Sequence, residues 1–132
     1  YFIQHFSTKE GATFFVPNTA GVELHKNLDI QNDMIIKKNY PNIFRDTTLQ
    51  RELEKENIKE LIICGAMTHM CIDTTVRAGF DLGYKCELIS DACATKDLTF
   101  KDEIVKAEDV QKSYMSALGS VFCEVKNIDE IS

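Results

Sequence analysis

The sequence predicts an α/β protein built on a mostly parallel sheet that helices cover on its two sides. Apolar, strand-like segments alternate with helix-like segments along the chain. The strand-like segments are apolar on both faces, which is typical of parallel strands buried between helices. The chain has 132 residues, 44% of them hydrophobic, which suits one domain with its own core. We therefore expect a single domain over residues 1–132.

The first half of the chain contains two strands, a polar excursion and one helix. In order, the predicted elements are a strand at 1–6, an irregular segment at 7–33 with one short helical turn, a strand at 34–37, a loop at 38–42 and a helix that starts at the capping-box spacing of 47–50 and ends at 56–57. The chain opens directly on an apolar strand without an initiator Met. We therefore expect the domain to be N-terminally incomplete, with a segment preceding Tyr1.

The second half alternates strands and helices more regularly. We expect a strand at 60–65, a helix at 68–82, a strand at 85–90, a helix at 103–118 and a strand at 121–125. The last helix carries four residues at helical spacing that predict its buried face: Ala107, Val110, Tyr114 and Ala117.

Charge and hydropathy exclude two classes of partner. The 21 acidic and 15 basic residues are scattered and give a formal net charge of −6, with no basic stripe to bind nucleic acid. The longest apolar runs, such as residues 61–67, are far too short to cross a bilayer. We expect neither a nucleic-acid partner nor a membrane partner.

The five cysteines predict reduced thiols rather than a disulfide or zinc framework. They lie at positions 64, 71, 86, 93 and 123, with no C-x-x-C pair, and several of them fall in apolar strand-like runs. The sequence also lacks a secretory signal pattern. These features favour a cytoplasmic protein.

Cys71 lies where a strand gives way to a helix, in the stretch ICGAMTHMCIDTTVRAGF. With Thr68 as N-cap, Cys71 falls in the first turn of the helix, where free N–H groups favour a thiolate, the nucleophilic form of cysteine. The amides of Met67 and Cys71 are candidates for an oxyanion hole. The alternative is that Cys71 is a small buried hydrophobic residue.

Two motifs extend this interpretation. The stretch GAMTHMCIDTTVRAGFDLGY, followed by SDACAT, resembles the nucleophile segment of the isochorismatase-like cysteine hydrolases. Upstream, KNYPNIFRDTTL resembles their lysine motif, with a Lys six residues before a Phe. The match runs in order through nearly the whole chain. It implies an isochorismatase-like, three-layer α/β/α fold of Rossmann-like type with a mostly parallel sheet.

The resemblance also implies an Asp-Lys-Cys triad. Cys71 would attack an amide-like carbonyl and form a thioester, with Lys38 rather than Lys37 supplying positive charge. A cis peptide is implied between Ala66 and Met67, beside the oxyanion hole. The family's general-base Asp precedes the strand that resembles residues 1–5, so no position of this sequence matches it.

Two acidic residues near Cys71 are candidates to replace that general base. Asp73 follows Cys71 by two residues, which on a helix turns it about 200° away from the thiol. Asp91 ends a strand but resembles a structural Asp-Ala pair of the family. We therefore expect neither carboxylate to serve as the base.

Three further residues are candidates for the substrate pocket, namely Tyr40, Phe44 and His69. The aromatic residues have packing as their alternative role, and His69 could simply be exposed. Nicotinamidases in the family bind a metal through an Asp-x-His cluster, and the stretch from Gln4 to Ser7 lacks this pattern. We expect no cofactor and no metal, and we disfavour nicotinamide as substrate.

Three hypotheses follow for the function. The first is a cysteine hydrolase that cleaves a small-molecule amide or a related C–N bond. The second is a catalytically inactive fragment or a non-enzymatic family member that acts through binding or assembly. The third is a thiol redox protein, in which Cys71 would pair with another cysteine. We also expect homo-oligomers, because the runs 1–6 and 14–16 would otherwise expose apolar surface.

Overall fold

The computed structural model describes residues 1–131. Within this range the strands are β1 (Phe2–His5), β2 (Ile35–Lys38), β3 (Glu60–Ala66), β4 (Lys85–Ala94), β5 (Leu98–Phe100), β6 (Glu103–Val105) and β7 (Glu124–Lys126). The α-helices are α1 (Leu49–Lys55), α2 (Asp73–Asp81) and α3 (Ala107–Gly119). The irregular segment between β1 and β2 contains the expected short turn, a 3₁₀ helix at Ala20–Val22.

Parallel strands form two separate ladders. Strand β1 pairs with β2, in a register that sets His5 opposite Lys38. Strand β4 pairs on one side with β3 and on the other with β7. The predicted α/β class with a parallel sheet is therefore confirmed, and its carboxyl edge is formed by the ends of both ladders.

The helices and strands share one hydrophobic core. Its buried members are Ile36, Ile43, Leu49, Leu53, Ile72, Val76, Tyr84, Cys86, Leu88 and Leu118. Because this set draws on α1, α2 and α3 together, the three helices pack against the same core. Burying these side chains is the main favourable contribution to folding.

The opposite face of strands β2 and β3 is exposed. Ile36 is 3% exposed, whereas its neighbour Ile35 is 42% exposed, and Ile62 in β3 is 57% exposed. The sequence predicted burial of these strands on both faces, because both faces are apolar. Within residues 1–131 only one of those faces is covered at β2 and β3.

The predicted helix at 103–118 is wrong in its first four residues: Glu103–Val105 form β6, which pairs with β5 in an antiparallel hairpin, and Lys106 is the N-cap of α3. Thr99, Phe100, Ile104 and Val105 are residues that favour strands, and Lys101 adopts a positive φ of 53° in the turn. Helix α3 starts after Lys106, where the Asp97 carboxylate accepts a hydrogen bond of 2.8 Å from the Ala107 amide. Of its predicted inner face, Val110 is buried, but Ala117 is exposed and Leu118 is buried instead.

Other element boundaries also differ from prediction. Strand β4 extends to Ala94 instead of ending at residue 90, so Asp91 lies within the strand and not at its end. Helix α1 begins after Thr48 without the predicted capping box, since the Gln50 side chain donates to Glu54 rather than back to the N-cap. Strand β7 starts at Glu124, because residues 121 to 123 still turn back onto the Leu118 carbonyl at the end of α3. None of the helices within residues 1–131 is both long and apolar enough to span a membrane.

Candidate active site

Cys71 lies in a tight elbow between β3 and α2. Strand β3 ends at Ala66, and the Ala66–Met67 peptide is cis. Gly65 adopts φ = 126°, a conformation that residues with a Cβ rarely take. Residues Thr68–Ile72 then form one π-helical turn before α2 begins. Cys71 is thus the fourth residue of a π-helical turn at the carboxyl end of a parallel strand, where α/β proteins bind ligands.

The predicted N-cap at Thr68 is wrong, because Met67 occupies that position in extended conformation. Thr68 is completely buried, and its hydroxyl lies 2.7 Å from the Gln111 side-chain oxygen and 3.2 Å from the Ala94 carbonyl. The hydroxyl therefore bonds to β4 and α3 instead of capping its own turn. This tertiary contact fixes the elbow against the sheet.

Lys38 reaches Cys71 from the other ladder. Side chains alternate along β2, so Lys37 is exposed and Lys38 is only 5% exposed. The Lys38 Nζ donates to Cys71 Sγ at 3.2 Å and to the Tyr40 carbonyl at 2.9 Å. It also lies 2.7 Å from Nδ1 of His5. The β1–β2 ladder therefore places a buried amine within hydrogen-bonding distance of the Cys71 sulfur.

Two backbone hydrogen bonds close the turn that contains Cys71. The amides of Met70 and Ile72 both donate to the Met67 carbonyl, at 3.0 and 3.3 Å. These bonds hold the turn on either side of Cys71 and keep Met67 beside it. Met67 and Cys71 therefore lie in one compact turn.

The two acidic residues considered as replacements for the general base have other partners. The Asp73 carboxylate accepts a hydrogen bond of 2.9 Å from Arg77 on α2. The Asp91 carboxylate accepts one of 3.0 Å from the amide of Ile128. Neither contact links a carboxylate to Lys38 or Cys71.

The three pocket candidates occupy different settings. The Tyr40 carbonyl accepts a hydrogen bond from Lys38, and the centroid of its ring lies 3.5 Å from the Arg45 guanidinium carbon. Phe44 stacks on Tyr84 at 5.9 Å and packs against the core, which are the contacts of a packing residue. His69 stands in the π-helical turn, with Nδ1 2.6 Å from the Thr95 hydroxyl.

The remaining thiols differ from Cys71 in their surroundings. Burial raises the pKa of Cys93 and of Cys123 to about 11, and it also raises the pKa of Cys86. Cys64 is exposed on β3. Across residues 1–131, no three side chains of His, Cys, Asp or Glu come together in a way that could hold a metal ion.

A cleft of about 210 Å³ separates β1 from β3. Its walls are the edges of these two strands together with residues that follow β2, and include Tyr1, Ile3, Leu61, Ile63 and Cys64. The two strands belong to different ladders. The cleft therefore lies at the junction of the two ladders.

His5 is a contact of Lys38 that the sequence motifs did not indicate. Its relation to Lys38 follows from strand pairing, because both residues end parallel strands and stand opposite each other. The available signal was the placement of His5 and Lys38 at the ends of two apolar runs.

Comparison with known proteins identifies the family of this chain. The family model for the isochorismatase domain matches residues 1–114. The chain belongs to the isochorismatase family of hydrolases. The resemblance seen in the sequence motifs is therefore confirmed.

Individual relatives agree with this assignment. The chain is 43% identical over 130 residues to the uncharacterized isochorismatase family protein YddQ of Bacillus subtilis, covering 98% of this chain and 72% of YddQ. It superposes on the crystal structure of an isochorismatase-family hydrolase from Oleispira antarctica with a TM-score of 0.90 and 43% identity, covering 97% of this chain and 68% of that one.

One similar protein has a name that specifies an amide-cleaving activity. Nicotinamidase 3 of Arabidopsis thaliana is 39% identical over 75 residues. The match covers 57% of this chain and 36% of that relative. The family thus includes relatives that act on amides.

Proposed function

We propose that the protein is a cysteine hydrolase that cleaves a small amide or a related C–N bond through a thioester on Cys71. The observation that carries the proposal is the 3.2 Å contact between the buried Lys38 ammonium and Cys71 Sγ. The family membership supports hydrolysis as the reaction, and the amide-cleaving relative supports the class of bond.

The proposed reaction has two steps. The Cys71 thiolate forms a bond to the carbonyl carbon, and the carbonyl electron pair moves onto oxygen, where the amides of Met67 and Cys71 stabilise it. The C–N bond breaks, the nitrogen leaves with a proton, and a thioester remains. Water then cleaves the thioester, which releases the acid and restores the thiol. The net reaction is amide plus water to acid plus amine.

This chemistry needs a carboxylate to shuttle protons. Asp73 and Asp91 are bonded elsewhere, as described above. We propose that the carboxylate comes from a strand seated in the cleft between β1 and β3, whose carboxyl end would lie beside Lys38. A strand there would also join the two ladders into one parallel sheet. The resemblance expects such a strand, and the apolar walls of the cleft support it.

The test is a hydrolysis assay on a panel of small primary amides and N-carbamoyl compounds, with mass spectrometry to detect an acyl group on Cys71. Cys71→Ala should lower turnover by at least about a thousandfold, since a covalent nucleophile is lost. Cys64→Ala is the matched control, because it removes an exposed thiol and only one small side chain of the cleft wall, so turnover should fall far less than for Cys71→Ala. Equal turnover by Cys71→Ala and the unaltered protein would refute the proposal.

A further inference from the structure

Within residues 1–131, Lys38 has one hydrogen-bond partner for each of its N–H donors. A lysine ammonium has three N–H donors and no acceptor. Its three partners here are Cys71 Sγ at 3.2 Å, the Tyr40 carbonyl at 2.9 Å and His5 Nδ1 at 2.7 Å. Three acceptors around three donors fix where the nitrogen sits. Removing any one of them would leave a donor free and the lysine less tightly held.

The state of His5 follows from this geometry. Because the ammonium can only donate, Nδ1 must carry a lone pair, and the imidazole proton must be on Nε2. Burial and the neighbouring Lys38 charge both lower the pKa of His5, which favours this neutral form.

The imidazole ring is itself held in place. His5 ends β1 opposite Lys38, and the Phe15 ring packs on it with centroids 5.0 Å apart. The segment between them folds back, because the Ser7 amide donates to the Phe15 carbonyl at 2.8 Å. A side chain packed in this way can fix the position of its neighbour.

We infer that His5 is a positioning residue that accepts a hydrogen bond through Nδ1 and thereby holds the Lys38 ammonium against Cys71. The inference rests on the proposed roles of Lys38 and Cys71. His5 touches neither the thiol nor the substrate in this scheme, so its effect passes entirely through Lys38. This predicts that replacing His5 has no consequence for Cys71 once Lys38 is gone.

The test measures the rate at which iodoacetamide alkylates Cys71 at pH 7, so it does not require turnover. Trypsin would release residues 60–77 as one peptide containing both Cys64 and Cys71, so every variant carries Cys64→Ala. Lys38→Ala should slow alkylation about tenfold, because an opposite charge within hydrogen-bond distance favours the thiolate. His5→Ala should slow it about threefold or more through loss of a charge-assisted bond.

Two comparisons separate positioning from a merely structural role. His5→Asn places a carbonyl oxygen near the position of Nδ1 and should keep the original rate. His5→Gln carries its carbonyl one bond further and should behave like His5→Ala. In a Lys38→Ala background, His5→Ala should produce no further change. The exposed His25 provides the matched control, and His25→Ala should leave the rate unchanged.

The inference fails if His5→Ala alkylates at the original rate, if His5→Asn is as slow as His5→Ala, or if the effect of His5→Ala persists without Lys38. Circular dichroism identifies any variant that is unfolded, and the Asn and Gln variants decide the matter if the Ala variant is. A protein that shows the coupling but hydrolyses no amide would contradict the proposed function and leave this inference standing.

Discussion

The two ladders of the sheet contribute to the candidate site in different ways. The β3–β4–β7 ladder supplies Cys71 through one contiguous elbow, held by Gly65 and by the Thr68 contacts to β4 and α3. The β1–β2 ladder supplies Lys38 from the end of a short strand. One half of the site is therefore set by local sequence, and the other by how two separate ladders pack together.

This difference identifies the weak point of the site. No backbone ladder joins β1 to β3 within residues 1–131, and a cleft lies between them. Lys38 is kept near Cys71 by side-chain packing and by its own hydrogen bonds. Substitutions in β2 should therefore test the relation between the ladders most directly, and each residue on its buried face has an exposed neighbour as a control.

Among substitutions in β2, the largest effect is expected for Lys38→Ala. Removing the buried ammonium takes away the charge that favours the thiolate, so turnover should fall about a hundredfold or more. Lys37→Ala is the control, because Lys37 is exposed on the other face of the same strand. The measurement is kcat/KM on whichever amide the unaltered protein hydrolyses. A larger loss for Lys37→Ala than for Lys38→Ala would contradict the assignment.

The next effect concerns stability. Ile36 is 3% exposed in the shared core, and Ile36→Ala should lower the free energy of unfolding by about 2–5 kcal/mol through lost burial and a cavity. Ile35→Ala, on the exposed face, should change it by no more than about 0.5 kcal/mol. Urea denaturation measures both. Equal losses would show that the second face is also covered in solution, as a bound strand, helix or second copy would require.

Sequence reasoning identified the elbow because its signals are contiguous. A dense apolar strand, Gly65 and a following amphipathic helix lie within about one supersecondary unit. The π-helical turn was not predictable, because the Thr68 hydroxyl could cap locally or bond to Ala94 and Gln111, and only the packed structure decides between them. The hairpin at 98–105 was missed because short alternating runs carry a weak signal.

The prediction of Lys38, which the β1–β2 ladder supplies, depended on the motif resemblance. Composition and periodicity alone do not separate Lys37 from Lys38, since adjacent residues of a strand differ only in the face they occupy. The contact with His5 depends on the pairing of β1 with β2 across an irregular segment. The register between two such strands is set by the packing of the whole domain. The local sequence around His5 and around Lys38 therefore does not predict that the two residues are in contact.

The smallest effect is a pH dependence that both ladders should share. Burial lowers the pKa of His5 and of His69 below the ordinary 6.5, and the neighbouring charges of Lys38 and Lys96 add to this. The unfolded chain then binds protons more readily than the folded one. The free energy of unfolding should be highest above about pH 6.5 and decline as pH falls below it.

A double variant, His5→Asn with His69→Asn, isolates this contribution. Asn offers an oxygen near Nδ1 in each case, so the bonds to Lys38 and Thr95 are retained while the titrating imidazoles are removed. Urea denaturation between pH 5 and pH 8 should give a flatter profile for the variant below about pH 6.5, with parallel profiles above it. An unchanged slope below that pH would mean that neither histidine is kept neutral by the fold. The single variants His5→Asn and His69→Asn separate the two contributions. If only one of them flattens the profile, the pH dependence comes from that histidine alone.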